Sequence, residues 1–290
     1  MSKLIARAKT VAFQGELGAF GNQAAREALP HCTATPKPSF EDAVEAVRSS
    51  ETDLCIIPVE NSLHGRIADI HHLLPQAGLY IVGEYFLPIH LQLLGLKGAK
   101  IGDIKVAYSQ PPALGQCRKI VRELGIKTQD WYDTAGSALH VSKEGDKSLA
   151  AIASKLAGEM YGLDVLRADV EDEHHNTTRF LIMAHERDDA PAPKPGDTGK
   201  VVTSFVFRVR NVPAALYKAM GGFATNGINM TKLESYQLGG TFNATQFYAD
   251  IEGHPEEQGV KHAMEELAFF CSELRVLGAY PAHAFREDLP

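Results

Sequence analysis

The stretch LCIIPVENSLHG, residues 54–65, decides how most of this chain folds. Leu54 to Val59 is an almost unbroken apolar run, which predicts a strand buried on both faces. Small polar residues follow at once, from Glu60 to Gly65. Ligands of α/β proteins bind beyond the carboxyl ends of such strands. The stretch therefore predicts an α/β domain with a polar loop at its ligand-binding edge.

Strands and helices alternate on both sides of this stretch, which predicts an α/β domain with a mostly parallel sheet. Ser39 and Asp42 are typical of a capping box ahead of an amphipathic helix. Asp133 or Thr134, and later Ser154, are predicted to cap two further helices. One apolar helix face is predicted from 114 to 124. The remaining predicted strands of this part are 11–13, 105–108, 127–131, 148–152 and 178–184.

A linker separates this part from a smaller C-terminal part. Residues 186–200, ERDDAPAPKPGDTGK, contain three prolines, two glycines and no large apolar residue, so they cannot build a core. The order predicted after the linker is βαββαβ, a ferredoxin-like split motif. Asn211 is predicted to cap its first helix with Pro213 in the first turn, and Leu238-Gly239-Gly240 to close a hairpin. The predicted strands are 201–209, 228–237, 241–251 and 274–280.

Composition excludes several functional classes. The chain has 290 residues, which favours two domains, and 29 Lys and Arg against 36 Asp and Glu give a net charge of −7. An acidic chain lacks the basic surface that nucleic acids and anionic membranes require. No apolar run approaches the roughly 18 residues of a membrane span, and no secretory signal is evident. Four dispersed cysteines are typical of reduced thiols, so we expect a cytoplasmic protein.

Small polar side chains cluster after the predicted strands. Neutral donors near helix N-termini, together with one arginine, suit a small carboxylate ligand. Taken singly, each such pattern is weak, and an Asn-Ser pair after a strand is more often a helix cap. Glycines 15, 18 and 21 have the wrong spacing for a dinucleotide fingerprint, and residues 171–173 read as a solvated acidic loop, so no nucleotide or metal site is predicted. The candidate binding residues are Asn61, Ser62, Ser109, Gln116, Thr134, Asn176, Thr178 and Arg179.

Three motifs together resemble the signatures of the prephenate dehydratase family. They are Phe13-Gln14-Gly15-Glu16-x-Gly18-Ala19, Pro58-Val59-Glu60-Asn61-Ser62-x-x-Gly65 and Asn176-x-Thr178-Arg179-Phe180. The C-terminal part resembles that family's regulatory ACT domain, best over Gly227 to Ser235. The resemblance covers nearly the whole chain. Because no chorismate mutase segment precedes Phe13, it implies the monofunctional form.

The resemblance implies a fold and a reaction. The catalytic part, residues 9–185, would consist of two α/β lobes like those of periplasmic solute-binding proteins, with a cleft between them. A linker at 186–200 and an ACT domain at 201–282 would follow. Prephenate would lose carbon dioxide and its ring hydroxyl to give phenylpyruvate, without a cofactor or metal. The implied catalytic residues are Thr178, Asn61, Ser109 and Gln116, and the implied substrate-binding residues are Ser62, Arg179, Thr134, Asn176 and Phe180.

The resemblance also implies feedback control by L-phenylalanine. Because the two predicted helices of the C-terminal part cover only one face of its sheet, the other face is left for a partner subunit, which predicts a homo-oligomer, a dimer or a tetramer. The sequence departs from the family in Gln110, where a histidine is frequent, in Ala214, where glycine is usual, and in Tyr236-Gln237, where Arg-Pro is common. We therefore assign no catalytic role to Gln110. The implied effector-binding residues are Pro213, Ala214, Ala215, Leu216, Asn229, Met230 and Ser235.

Two alternatives stay open at the level of sequence. An arogenate dehydratase would use the same motifs on the aminated substrate. A non-catalytic amino-acid sensor would combine the binding-protein-like part with the C-terminal module and show no turnover. Turnover of prephenate and arogenate, measured side by side, discriminates among the three.

Overall fold

A computed structural model of the protein describes residues 2–173, 175–194, 200–210, 212–237 and 244–287. Within these ranges no helix combines the length and the apolarity needed to cross a lipid bilayer. In chain order the strands are β1 (Thr10–Gln14), β2 (Thr33–Lys37), β3 (Leu54–Asn61), β4 (Gly65–Arg66), β5 (Tyr80–Pro88), β6 (Gln92–Leu96), β7 (Val106–Ser109), β8 (Lys127–Asp130), β9 (Leu149–Ala153), β10 (Leu163–Arg167), β11 (Thr177–Ala184), β12 (Val201–Val209), β13 (Met230–Gln237), β14 (Ala244–Glu252) and β15 (Cys271–Pro281). The helices are α1 (Lys3–Arg7), α2 (Phe20–Ala28), α3 (Phe40–Arg48), α4 (Ala68–Leu73), α5 (Pro111–Gly115), α6 (Arg118–Leu124), α7 (Thr134–Glu144), α8 (Lys155–Tyr161), α9 (Ala215–Thr225) and α10 (Gln258–Phe270).

The strand predicted from Leu54 to Val59 lies at the centre of the first sheet. That sheet has the order β2-β1-β3-β11-β5, and β4 pairs with β3. Strand β1 runs parallel to both β2 and β3. The side chains of β3 are buried up to Val59 except at Pro58, as predicted for a central strand. The polar loop after β3 therefore begins where β3 leaves the core.

The second sheet corrects the prediction of one mostly parallel sheet. Its order is β10-β6-β9-β7-β8. Strand β7 is parallel to β8 and β9, but β6 is antiparallel to both β9 and β10. The crossover β9-α8-β10 would normally place two parallel strands side by side. Here β6 is inserted between them in the opposite direction, so the α/β part contains two sheets and one of them is mixed.

The predicted helix from 114 to 124 is interrupted. Helix α5 ends at Gly115 and α6 begins at Arg118. The carboxylate of Asp172 accepts hydrogen bonds from the backbone N–H groups of Arg118 and Lys119, at 3.0 and 2.9 Å. It therefore caps α6 from a distant part of the chain, because the first N–H groups of a helix need such an acceptor. The interruption leaves Gln116 outside both helices.

The third sheet confirms the predicted βαββαβ order. It has the order β13-β14-β12-β15, with antiparallel pairs throughout. Helices α9 and α10 pack on it through a buried apolar cluster that includes Phe207, Phe223 and Leu267. The predicted start of α9 is wrong, because the helix begins at Ala215 and not around Pro213. The predicted cap Asn211 and the hairpin residues Leu238-Gly239-Gly240 lie outside the described residues.

The chain divides into two compact units. One consists of Lys9–Arg66 and Phe86–Phe180, and the other of Met1–Ala8, Ile67–Tyr85 and Leu181–Pro290. The first unit holds every candidate residue of the α/β part. The second holds the third sheet and all the candidate effector residues.

The face of the third sheet opposite its helices is covered by the same chain. Ser204, Asp250 and Tyr280 are buried there, and the Ser204 hydroxyl donates to Oδ1 of Asp250 at 2.5 Å. A Cβ on Gly278 would lie only 2.0 Å from the carbonyl oxygen of Ile81, so the two backbones are in direct contact. The expectation that this face is left for a partner subunit is therefore wrong at this place. The covering segment comes from the same unit.

Candidate active site

Asn61 organises the loop that follows β3. Its side-chain oxygen Oδ1 accepts hydrogen bonds from the backbone N–H groups of Leu63 and His64, at 3.0 and 3.1 Å. This is an Asx-type turn, in which the side chain holds the backbone of its own loop. The orientation of the carboxamide is thereby fixed, and its nitrogen is directed toward β11.

The carboxamide nitrogen of Asn61 contacts two residues at the start of β11. Nδ2 donates to Oδ1 of Asn176 at 2.7 Å and to Oγ1 of Thr178 at 3.0 Å. An amide N–H can only donate, so the Thr178 hydroxyl acts as the acceptor in this pair. The hydroxyl's own proton is then left for donation to another group. Asn176, directly ahead of β11, and Thr178, within it, are both buried.

Four polar side chains are arranged in a ring of short polar contacts. Beyond the Asn61–Asn176 bond, Nδ2 of Asn176 donates to Oε1 of Gln116 at 2.9 Å. Nε2 of Gln116 lies 3.2 Å from Nδ1 of His64, and that nitrogen lies 3.3 Å from Oδ1 of Asn61. We call Asn61, Asn176, Gln116 and His64 the amide ring. It joins a loop of the first sheet to the break between α5 and α6.

Ser62 fastens the same loop to the chain entering β11. Its hydroxyl donates to the carbonyl oxygen of His175 at 2.6 Å and accepts from the N–H of Thr177 at 2.9 Å. The Ser62 N–H also donates to the Thr177 carbonyl at 2.9 Å. The hydroxyl is thus occupied by backbone partners, and in this structure Ser62 positions the site.

Arg179 and Glu60 form an ion pair beside the amide ring. The Arg179 side chain is 2% exposed, and its Nη1 lies 2.9 Å from Oε1 of Glu60. Its guanidinium carbon lies 6.0 Å from the ring centroid of Phe86, within cation–π range. A buried arginine needs a counter-charge, which Glu60 supplies. In the chain, Glu60 directly precedes Asn61 and Arg179 directly follows Thr178.

Three predicted site residues lie apart from the amide ring. Ser109 is fully buried, and its hydroxyl donates to the carbonyl oxygen of Ile152 at 2.6 Å. Thr134 is buried at the first position of α7, and Phe180 is a core side chain. Among the described residues, no hydrogen bond joins Ser109 or Thr134 to the ring. The structure therefore groups Asn61, Ser62, Gln116, Asn176 and Thr178, but not these three. Arg179 follows Thr178 in β11 and pairs with Glu60.

The glycine-rich loop after β1 is anchored to the helix that follows β9. Gly18 has a φ of +90°, and a Cβ there would lie 2.8 Å from Cα of Ala157. The Ser154 hydroxyl donates to the Gly18 carbonyl at 2.6 Å while also accepting from the N–H of Ala157 at 3.0 Å. Ser154 therefore caps α8 as predicted and holds the loop as well. The loop has a structural role here.

Asp133 lies at the N-terminus of α7, where it accepts a hydrogen bond from the N–H of Gly136. Burial raises the pKa of this carboxyl above its ordinary value, and backbone hydrogen bonds from Gly136 and Glu16 oppose the shift. The predicted cap is thus confirmed at Asp133. Its hydrogen bonds go to its own helix and to the loop after β1, so it stands apart from the amide ring.

One group of side chains of the kind that ligate metals occurs in the described part of the chain. Nδ1 of His90 lies 3.0 Å from Oε1 of Glu171 and 3.7 Å from Oδ1 of Asp169. The Glu171 carboxylate is buried and also accepts from the N–H of Leu91 at 2.8 Å. The interpretation of residues 171–173 as a solvated loop is therefore wrong for Glu171, whose role is to hold the chain ahead of β6.

The candidate effector residues lie in two places, around the start of α9 and along β13. Ala214 has φ 60° and ψ 21°, a left-handed conformation that favours glycine, directly before α9. Nδ2 of Asn229 donates to Oε2 of Glu252 at 3.0 Å. Ser235 lies in β13 opposite Phe247 and is exposed, while Met230 packs against the apolar cluster.

Sequence reasoning missed two members of the site. His64 was part of the predicted polar loop but was assigned no role, and Glu60 was not predicted to pair with Arg179. An Asx turn beginning at Asn61 would have placed the residue three positions later beside that side chain. Opposite charges at the ends of neighbouring strands would have indicated the ion pair. Both signals depend on knowing that β3 and β11 are neighbours.

Comparison with known proteins agrees with the motifs. The sequence profile of the family described as prephenate dehydratase matches residues 11–188. A protein named "Bifunctional N-acyl-homoserine lactone acylase/prephenate dehydratase" from Komagataeibacter europaeus is 46% identical over 278 residues, which make up 96% of this chain and 98% of that protein. "Arogenate dehydratase/prephenate dehydratase 2, chloroplastic" from Arabidopsis thaliana is 37% identical, over 93% of this chain and 72% of that protein.

The fold is shared with a solved relative. The crystal structure of prephenate dehydratase from Arthrobacter aurescens, in complex with L-Phe, superposes with a TM-score of 0.83 at 28% identity. The superposition covers 96% of this chain and 91% of that one. From the extent of these matches, the chain belongs to the prephenate dehydratase family.

Proposed function

We propose that this chain converts prephenate to phenylpyruvate by decarboxylating dehydration, as a step of L-phenylalanine biosynthesis. The observation that carries the proposal is the hydrogen bond from Asn61 to the buried Thr178 hydroxyl. The prephenate dianion takes up one proton and yields the phenylpyruvate anion, carbon dioxide and water. No electrons leave or enter, so the reaction requires no redox cofactor. The enzyme has to hold two carboxylates and assist a poor leaving group.

The residues divide these tasks. Because the Asn61 amide occupies a lone pair of the Thr178 oxygen, the Thr178 proton is directed to the departing hydroxyl. Fixed donors aimed at developing charge stabilise a transition state more than mobile ones do. Arg179, held by Glu60, supplies a cation for a substrate carboxylate. Gln116 and Asn176 keep the Asn61 carboxamide in place. Direct roles for Ser109, Thr134 and Phe180 stay predictions from the sequence.

We further assign residues 9–185 to a two-lobed catalytic domain, 186–200 to a linker and 201–282 to an ACT domain. The two sheets of the α/β part, joined through the amide ring, support two lobes with a cleft. The βαββαβ order supports the ACT assignment. A monofunctional, cytoplasmic enzyme that uses neither a metal nor a cofactor agrees with the acidic composition and with the chemistry of the step.

The proposed regulation is feedback inhibition by L-phenylalanine bound to the C-terminal unit. It is supported by the L-Phe complex of the Arthrobacter aurescens relative. We also propose a homo-oligomer, a dimer or a tetramer. Its support is the set of large apolar side chains that this unit exposes, since such residues often mark subunit contacts. They are Val212, Tyr217, Leu233 and Phe269, of which Tyr217 is 82% and Phe269 71% exposed.

A single assay tests the catalytic proposal. Incubation with prephenate should produce phenylpyruvate, read by its absorbance in alkali, and a parallel incubation with arogenate should be slower. Faster turnover of arogenate would instead make the chain an arogenate dehydratase. Binding without turnover of either substrate would leave the chain as a non-catalytic amino-acid sensor and overturn the proposal.

A second candidate activity is hydrolysis of N-acyl-homoserine lactones. The Komagataeibacter europaeus relative carries that activity in its name, and the alignment spans 98% of that protein, so the activity named for it belongs to the part that this chain matches. Release of homoserine lactone and a fatty acid from an N-acyl-homoserine lactone, followed by mass spectrometry, tests it. Competition between this substrate and prephenate would indicate a shared site.

A further inference from the structure

His64 is the titratable member of the amide ring. The other three members are neutral carboxamides, and Thr178 carries an ordinary hydroxyl. We propose that His64 donates the proton to the departing hydroxyl of the substrate, an inference that rests on the proposed dehydration. Imidazole is the side chain that ordinarily changes charge between about pH 5 and pH 8, which suits proton transfer under physiological conditions.

The contacts of Nδ1 define which form of the imidazole is held. Gln116 Nε2, at 3.2 Å, can only donate, so it favours an unprotonated Nδ1. Asn61 Oδ1, at 3.3 Å, can only accept, so it favours a protonated Nδ1. The two contacts cannot both be satisfied in one protonation state. When Nδ1 is protonated, it therefore makes its hydrogen bond to Asn61 and no longer to Gln116.

The Asn61 contact leaves the second ring nitrogen as the reactive one. In the imidazolium, Nδ1–H donates to Asn61 and Nε2–H is available to the substrate. When Nε2 gives its proton to the hydroxyl, the C–O bond breaks, water departs, and the electrons of the breaking C–C bond complete the aromatic ring as carbon dioxide leaves. The product histidine keeps its proton on Nδ1, still held by Asn61. Thr178 and His64 thus contact opposite ends of one carboxamide.

The proton balance favours an exposed donor. Each turnover consumes one proton, and neither carbon dioxide nor water returns it to the enzyme. The acid therefore has to take up a new proton from solvent after each turnover. His64 is exposed and can do so, whereas the Thr178 side chain is buried, with 8% of its surface exposed. Thr178 then orients the leaving hydroxyl while His64 protonates it.

Two of the carboxylates near His64 have partners of their own. Glu60 pairs with Arg179, and Asp172 accepts from the first turn of α6 beside Gln116. The side chains that contact the imidazole itself are the neutral Asn61 and Gln116. The other charged or titratable residues of these segments are Arg66, Arg118, Lys119, Glu173 and His175.

The experiment compares the wild-type chain with His64→Gln, His64→Ala and the control His262→Gln, an exposed histidine of α10. We expect kcat to fall by roughly 10²–10⁴-fold in both His64 variants, with KM changed less, because general acid catalysis typically contributes that much. The wild-type kcat should decline as the pH rises, because the proposed donor has to be protonated. This decline should vanish in His64→Gln. Added imidazole should restore the activity of His64→Ala in proportion to the protonated fraction of the added imidazole.

The outcomes separate this proposal from the underlying function. If the wild type turns over neither prephenate nor arogenate, the proposed function fails. If the wild type is active and His64→Gln keeps its kcat and pH profile, only the role of His64 is overturned. If Asp133→Asn abolishes the alkaline decline while His64→Gln retains it, the acid is Asp133. Equal urea midpoints, followed by the fluorescence of the single tryptophan, would show that the variants are folded.

Discussion

The Nδ2 atom of Asn61 lies 3.0 Å from Oγ1 of Thr178, with the carboxamide as donor and the hydroxyl as acceptor. The carboxamide cannot rotate to reverse this polarity, because its oxygen is held by the N–H groups of Leu63 and His64. A side chain of the first sheet's polar loop thus uses the Thr178 hydroxyl as an acceptor and leaves its proton for donation to another group. The interaction is made before substrate arrives, so it requires little reorganisation during the reaction.

Replacing Thr178 by valine should lower kcat by roughly 10²-fold or more with a modest change in KM, because the lost hydrogen bond is formed mainly in the transition state. Valine keeps the shape of threonine and removes the hydroxyl. Thr178→Ser is the matched control and should keep most of the activity. Steady-state kinetics with prephenate provide the measurement. A folded Thr178→Val protein with near-normal kcat would remove Thr178 from the mechanism.

Replacing Arg179 by alanine should act mainly on substrate affinity. A carboxylate clamp binds the ground state and the transition state alike, so KM should rise by about tenfold or more while kcat changes less. Arg122→Ala, which removes an exposed arginine of α6, is the control and should keep its KM. An unchanged KM in Arg179→Ala would mean that the arginine serves only to balance the charge of Glu60.

The fold of this chain was more predictable than its site. The buried strand from Leu54 to Val59, the caps at Ser39 and Ser154 and the βαββαβ order all depend on local patterns, and they are confirmed. The break between α5 and α6 depends on Asp172, some 54 residues away from Arg118, so no local pattern contains it. Likewise, the insertion of β6 between β9 and β10 depends on pairing between distant segments.

The site shows the same division. The motifs predicted that Asn61, Gln116, Asn176 and Thr178 come together, and four hydrogen bonds connect them with His64. They did not predict that Ser109 would be buried against Ile152. Which polar side chains face a ligand and which face the backbone is decided by packing between strands.

Replacing Gly18 by alanine should destabilise the protein by about 2–4 kcal/mol. The φ of +90° strains any residue with a Cβ, and the added methyl would lie 2.8 Å from Cα of Ala157, which belongs to backbone that cannot easily move. Gly125→Ala is the matched control: it has a φ of +60° and open space, so it should cost only about 1 kcal/mol. Urea unfolding of both variants measures the difference. Equal losses would show that the contact with Ala157 relaxes without cost.

Replacing Asp53 by asparagine should lower stability near neutral pH but not in acid. Hydrogen bonds from the backbone of Lys9, together with those from the side chain and backbone of Thr10, hold the pKa of this carboxyl below its ordinary 3.8. A group whose pKa is lower in the folded state stabilises the fold above its unfolded pKa, and this stabilisation is lost as the pH falls through the folded pKa. Urea midpoints of the wild type and Asp53→Asn should therefore differ at pH 7 and converge as the pH falls below 3.8. A difference that persists at low pH would point to packing instead of charge.

L-Phenylalanine should bind the C-terminal unit, and Ala214→Gly should bind it more tightly than the wild type. Ala214 adopts a left-handed conformation, so a glycine would remove both the strain and the Cβ from the turn that precedes α9. Asn229→Ala should weaken binding, since the carboxamide of Asn229, which donates to Glu252, is a candidate ligand of the effector.

If phenylalanine inhibits through two conformations of different affinity, an unreactive substrate analogue must weaken phenylalanine binding by the same factor, typically about 5–150-fold. Titration calorimetry with and without the analogue measures this factor, with D-phenylalanine as the control ligand. If phenylalanine releases no heat and leaves turnover unchanged at roughly millimolar levels, the C-terminal unit serves assembly and not control.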